Sequence, residues 1–257
     1  MLPDPQSPAS TGPQPGARLI PELAARAPAA ASHAQAVRGM FDRISPTYDL
    51  LNRLLSLGID RRWRARALQV LGQALPSGPI LDSCAGTLDL SAGIAERWPD
   101  RLLVSGDFAR DMLLAGRSKL DRRARPVVCD AMRLPFADGR FAGMTCGFGM
   151  RNLADPERGV REAYRVLAPG GVFVVLEFFR PTSLPTRVFH ALYACIVLPF
   201  VGRLISGDGQ AYKYLSRSMQ GFLTRSEFEQ DMRGAGFREV QSLDLTLGIA
   251  SLVWGIK

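Results

Sequence analysis

A chain of 257 residues is long enough for one domain with a full hydrophobic core, and 47% apolar with 22% charged residues is a globular composition. The four cysteines, at 84, 129, 146 and 195, form no CxxC pair, which argues against a zinc site or a disulfide framework and fits buried free thiols in a reducing compartment. The net charge of +8 favours an anionic partner. Without a basic tract or an RNA-binding aromatic signature, a membrane surface is preferred to nucleic acid.

In chain order, residues 1–36 are dominated by Pro, Ala, Ser, Gly and Gln and show no apolar periodicity, so they are expected to be a disordered tail ahead of a domain at 37–257. Asp4, Glu22 and the shortage of arginine make this tail a poor transit peptide. It also lacks the basic segment and apolar core of a signal peptide. Short apolar runs at 79–83, 102–106, 125–129, 141–147 and 171–178 predict buried strands. Between them, helices are predicted at 89–98 and 110–119, and a third begins at Asp155-Pro156, an N-cap followed by proline at the first helical position. Val160, Ala163, Tyr164 and Leu167 form its core-facing side, and Gly170-Gly171 ends that unit. Residues 188–205 are almost wholly apolar but contain His190, Pro199, Gly202 and Arg203, which favours a buried helix or a lid over a membrane span. Thr224-Arg-Ser-Glu227 is a capping box, Gly236 closes its helix, and 237–244 and 248–256 read as two final strands. Alternating strands and helices predict an α/β fold, a doubly wound parallel sheet with helices on both faces.

The segment Ile80-Leu-Asp-Ser-Cys-Ala-Gly-Thr-Leu-Asp-Leu90 is a strand running into a small-residue turn and a helix start, the nucleotide-binding corner of such a sheet. Its spacing resembles the first motif of class I S-adenosylmethionine (SAM) methyltransferases, roughly Asp-x-x-x-Gly-x-Gly. That resemblance implies a Rossmann-like, mostly parallel sheet of seven strands, with SAM at its edge. SAM needs a close backbone approach after the first strand, a carboxylate for the ribose after the second and a polar group for the adenine after the third. The chain offers these in order: Asp82, Ala85, Gly86 and Thr87, then Asp107, then Asp130-Ala131. Leu88 stands where the second glycine is usual. A leucine in left-handed conformation costs roughly 1–2 kcal/mol, and one in ordinary helical conformation aims its side chain at the methionine moiety. Both predict weaker SAM binding than a glycine would give.

Further motifs resemble the ubiquinone/menaquinone biosynthesis C-methyltransferases from about residue 37 to the C-terminus. They are Phe41-Asp-Arg-Ile-Ser-Pro-Thr-Tyr-Asp-Leu-Leu-Asn52, Leu55-Ser-Leu-Gly58, Trp63-Arg64, Leu134-Pro-Phe136, Phe148-Gly-Met-Arg-Asn152, Tyr164-Arg-Val-Leu-Ala-Pro-Gly-Gly171, Leu176-Glu-Phe178, Tyr212-Lys-Tyr-Leu215, Leu223-Thr-Arg-Ser-Glu-Phe228 and Ala235-Gly-Phe237. Ala211, Arg217-Ser218 and the turn Ser83-Cys-Ala-Gly-Thr-Leu88 depart from the family pattern. The resemblance implies methyl transfer from SAM to a ring carbon of a polyprenylated quinol, first demethylmenaquinol and next a ubiquinone-pathway benzoquinol. It carries Tyr48, Arg151, Asn152 and Tyr212 over as catalytic candidates: Arg151 to stabilise a phenolate, Asn152 to orient a hydroxyl, Tyr212 to close the pocket and Tyr48 on the N-terminal cap. Against these stand plainer readings: Arg151-Asn152 as the loop end before the Asp155 helix, Tyr48 and Tyr212 as packing aromatics, Glu177 as a strand end. A polyprenyl substrate implies a cytoplasmic enzyme peripheral to the inner face of the membrane, with the apolar 189–205 stretch as lid or docking element. No metal or nucleic acid is implied, and homodimerisation is left open. Another lipophilic phenol as substrate, or a non-catalytic family member that scaffolds quinone biosynthesis, also fits these motifs.

Overall fold

The computed structural model describes residues 35, 37–120, 124–182, 184, 186–187, 214 and 217–257. Its centre is a seven-stranded sheet of β1 (Ile80–Ser83), β2 (Leu103–Asp107), β3 (Arg125–Val128), β4 (Phe141–Gly147), β5 (Leu167–Glu177), β6 (Arg238–Leu245) and β7 (Ala250–Ile256), in the order β3-β2-β1-β4-β5-β7-β6. The pairs β1–β2, β1–β4, β2–β3 and β4–β5 are parallel. β7 inserts antiparallel between β5 and β6. The order reverses at β1, and the crevice at a strand-order switch point is where open α/β sheets bind ligands.

The helices are α1 (Tyr48–Leu55), α2 (Asp60–Ala74), α3 (Asp89–Arg97), α4 (Arg110–Gly116), α5 (Pro156–Val166) and α6 (Arg225–Gly234), and residues 37–44 are also helical. Strand alternation sorts the core into two layers. Ile80, Leu103, Val172, Val174 and Leu176 pack with α2, α3 and α4 on one face. Leu81, Val104, Phe173 and Val175 pack with α5 and α6 on the other.

The two predicted caps form. The Asp155 carboxylate accepts the Arg158 N–H ahead of Pro156, and Thr224 and Glu227 make both bonds of a capping box. The strand after α5 begins at Leu167, four positions earlier than predicted. Gly170, at φ +77°, bends within it, and Phe141 pairs with Leu167 before a register shift to Gly143–Val172. Arg165 ties α5 to the Leu134-Pro-Phe136 segment by donating to the Leu134 and Phe136 carbonyls. Cys84, Cys129 and Cys146 are free thiols. The apolar 188–205 stretch, Tyr212 and most of the 1–36 tail lie outside the described residues, as does Cys195. Among the described residues, no helix is long and apolar enough to cross a membrane.

Candidate active site

The β1–α3 turn combines tight packing with left-handed backbone. Cys84, Gly86 and Leu88 have φ of 54°, 53° and 67°. Leu88 therefore takes the left-handed conformation. Its side chain is fully buried among α2, α3 and α4 residues and does not line the cavity beside the turn. Gly116 of α4 fits so closely that a Cβ there would stand 2.2 Å from the Thr87 carbonyl oxygen.

Asp107, at the end of β2, holds this turn from the other side. One carboxylate oxygen accepts the Gly86 N–H and the other the Ala109 N–H, each at 2.8 Å. Burial pushes its carboxyl up to about 6 against the lowering effect of those backbone bonds. Each oxygen retains further acceptor capacity. After β3, Asp130 accepts the Met132 N–H at 2.8 Å and leaves its side chain exposed beside Ala131.

Gly86, Asp107, Asp130 and Ala131 line one wall of a cavity at the C-terminal ends of β1–β4, where Phe108 and Met112 add apolar surface. Tyr48, Phe41, Phe148 and Asn152 also line this cavity. The structure thus brings together six of the sequence-selected residues. Asp82, Ala85, Thr87 and Arg151 do not line the cavity. Asp82 is fully buried in the sheet and accepts the hydroxyls of Ser91 at 2.6 Å and Thr145 at 2.7 Å, while burial pushes its carboxyl up to about 6. Ala85 donates its N–H to the Gly106 carbonyl, and the Thr87 hydroxyl donates to Asp49 of α1 at 2.5 Å. These residues shape the turn from behind.

Arg151 is also turned away from the cavity. Its Nη1 donates to Glu177 Oε1 and to the Phe148 carbonyl, both at 2.6 Å, and its guanidinium lies 5.5 Å from the Phe178 ring centre. Glu177 is wholly buried, and desolvation pushes its carboxyl up against the pull of Arg151. The pair fixes the 148–152 turn, in which Phe148 is left-handed. Asp155 caps the next helix alone, so Arg151 and Asn152 are not spent there. Asn152 Nδ2 donates to the Phe148 carbonyl at 3.2 Å, and its Oδ1 accepts the Tyr214 hydroxyl at 3.1 Å. Burial pushes the Tyr214 hydroxyl pKa up, so it stays a donor. The second amide N–H of Asn152 remains for a ligand.

Sequence reasoning missed Tyr214, Phe148 and Phe41. Tyr214 stands in the Tyr212-Lys-Tyr-Leu215 motif, two positions beyond the candidate Tyr212. Tyr214 and Tyr48 pack with Met40, Phe41 and Ile44, so the N-terminal segment closes over the cavity.

The sequence model of the ubiE/COQ5 methyltransferase family matches residues 29–257. A demethylmenaquinone methyltransferase of Thermus thermophilus is 45% identical over 216 residues, covering 83% of this chain and 97% of the relative. A ubiquinone/menaquinone biosynthesis C-methyltransferase of Geotalea daltonii is 41% identical over 227 residues, covering 86% and 96%. Among solved structures, a SAM-dependent methyltransferase of Thermotoga maritima matches with a TM-score of 0.58 at 20% identity, over 85% of this chain and 99% of that one. A Haemonchus contortus phosphoethanolamine N-methyltransferase, bound to S-adenosylhomocysteine, matches with a TM-score of 0.56 at 13% identity, over 84% and 60%.

Proposed function

The chain belongs to the ubiE/COQ5 methyltransferase family, and on that basis we propose that it is a SAM-dependent C-methyltransferase acting on a polyprenylated quinol, demethylmenaquinol first. One observation carries the reading. One cavity at the sheet's switch point is lined both by Gly86, Asp107 and Asp130-Ala131 and by Tyr48, Phe148 and Asn152.

The first set fits SAM. Asp107 would offer acceptor capacity to ribose hydroxyls, Gly86 would allow close backbone approach, and Asp130-Ala131, with Phe108 and Met112 in the same cavity, would hold the adenine. When bound, SAM supplies an electrophilic methyl group, so the protein's task is alignment and exclusion of water. Asn152 is the orienting group. Tyr214 and the Phe148 carbonyl fix its amide, so its remaining N–H would donate to a quinol oxygen and favour the ionised form of the ring hydroxyl. Arg151, its charge paired with Glu177, is a positioning residue that holds the turn presenting Asn152. Tyr48 and Phe41 cover the ring and exclude water. Residues 37–257 are taken as the catalytic unit, working at the cytoplasmic surface of the membrane that holds the substrate.

The test is methyl transfer by the full-length protein from labelled SAM to a chemically reduced, short-chain demethylmenaquinol, with the methylated ring identified by mass spectrometry. Turnover is expected, and Asn152→Ala is expected to lower kcat by roughly 100-fold with little change in SAM affinity. Turnover with a methoxybenzoquinol alone would move the substrate to the ubiquinone pathway. SAM binding without turnover on either quinol would overturn the reading.

A further inference from the structure

Helix α1 is amphipathic in the unexpected sense. Tyr48 and Asp49 face the site, Tyr48 lining the cavity and Asp49 bonded to Thr87 and Lys119. At 3.6 residues per turn, positions 50 and 54 share the other side, and position 57 follows in the turn beyond the helix. All three are leucines, and Leu50, Leu54 and Leu57 are 52%, 43% and 85% exposed. Arg53, Arg61 and Arg62 flank this stripe, all exposed and, among the described residues, without a carboxylate partner. Leu247, 92% exposed at the tip of the β6–β7 hairpin, is held beside the start of α2 because Trp63 Nε1 donates to Thr246 Oγ1 at 2.8 Å. These leucines therefore stand on the side of the sheet where the cavity lies.

Exposed leucines on a structured helix have a cost that a soluble surface does not recover, and an apolar stripe with an arginine border matches the interface of an anionic bilayer. We infer that Leu50, Leu54 and Leu57, bordered by Arg53, Arg61 and Arg62, form the surface by which this protein docks on an anionic lipid bilayer. The inference rests on the quinol reading and deepens it. The helix that carries Tyr48 over the cavity on one face touches the bilayer with the other, so a lipid-dissolved substrate has only the thickness of α1 to cross. The basic residues provide attraction over about a Debye length, and the leucines provide the insertion.

The experiment is flotation of the full-length protein with vesicles of phosphatidylcholine, with and without phosphatidylglycerol. It compares the parent, Leu50→Gln/Leu54→Gln/Leu57→Gln and Arg53→Gln/Arg61→Gln/Arg62→Gln. The parent is expected to float with the anionic vesicles. Each triple variant should float roughly tenfold less while keeping parental SAM affinity and methyl transfer to a water-soluble quinol. The single variant Leu57→Gln, in the turn beyond the helix, repeats the comparison if the triple leucine variant is poorly folded. Failure of the parent to float, or flotation of the leucine variants at the parental level, overturns the inference. So does a parental dimer that the leucine variants split, which would assign the face to a second copy. Loss of methyl transfer in the parent with flotation intact would instead sink the quinol reading and leave the docking surface standing.

Discussion

At Asp107, burial and binding pull against one another. Its carboxyl, pushed up to about 6, must be ionised to accept hydroxyl donors while already accepting the Gly86 and Ala109 N–H groups. As pH falls through about 6, one oxygen becomes a donor and an acceptor is lost. SAM affinity should therefore be level above neutrality and weaken below about pH 6, approaching tenfold per pH unit. Calorimetric titration of SAM across that range checks it, and an affinity level down to about pH 5 would refute it. At Leu88 the balance is between strain and packing. Left-handed φ costs roughly 1–2 kcal/mol, whereas removing a fully buried leucine side chain costs about 3–5 kcal/mol. Leu88→Gly should thus destabilise the protein by about 1–4 kcal/mol in urea denaturation. Its SAM affinity should stay within about twofold, because the backbone already holds the conformation glycine would take and the side chain points into the core.

The elements around the site are joined by polar bonds rather than by apolar packing alone. The Thr87 hydroxyl and the Lys119 ammonium both bind Asp49, Lys119 also binds Asp89 at 2.6 Å, and Arg64 of α2 reaches Asp89 at 3.6 Å. Through these contacts α1, α2 and the start of α3 are fastened to the β1–α3 turn. Thr87→Val removes one bond, worth about 1 kcal/mol, and leaves Asp49 with Lys119. The expected result is local: amide hydrogen exchange in residues 48–55 should quicken roughly fivefold with little change in global stability. A uniform change across the chain would mean that the bond supports the whole fold rather than the seating of α1.

For the molecule as a whole, the order of strands and helices, both side-chain caps and the gathering of the Gly86 turn, Asp107 and Asp130 at one cavity were legible in the sequence. These depend on local causes: continuous apolar runs, N-cap chemistry, and turns that must end a strand. Which carboxylates face the cavity was not legible. Asp82 and Asp107 read alike as acids ending strands, but Asp82 is used up inside the sheet by Ser91 and Thr145, the second of them on another strand. Likewise, it took the tertiary structure to set Arg151 against Glu177, to fix the Asn152 amide with Tyr214, and to leave one face of α1 apolar and exposed. Tertiary packing also decided that a leucine could stand in a glycine's place, because three helices surround that position with apolar side chains. Local propensity is a property of neighbours in the chain, whereas the fate of a polar or apolar group depends on partners tens of residues away. Those partners are brought into contact only when the sheet assembles.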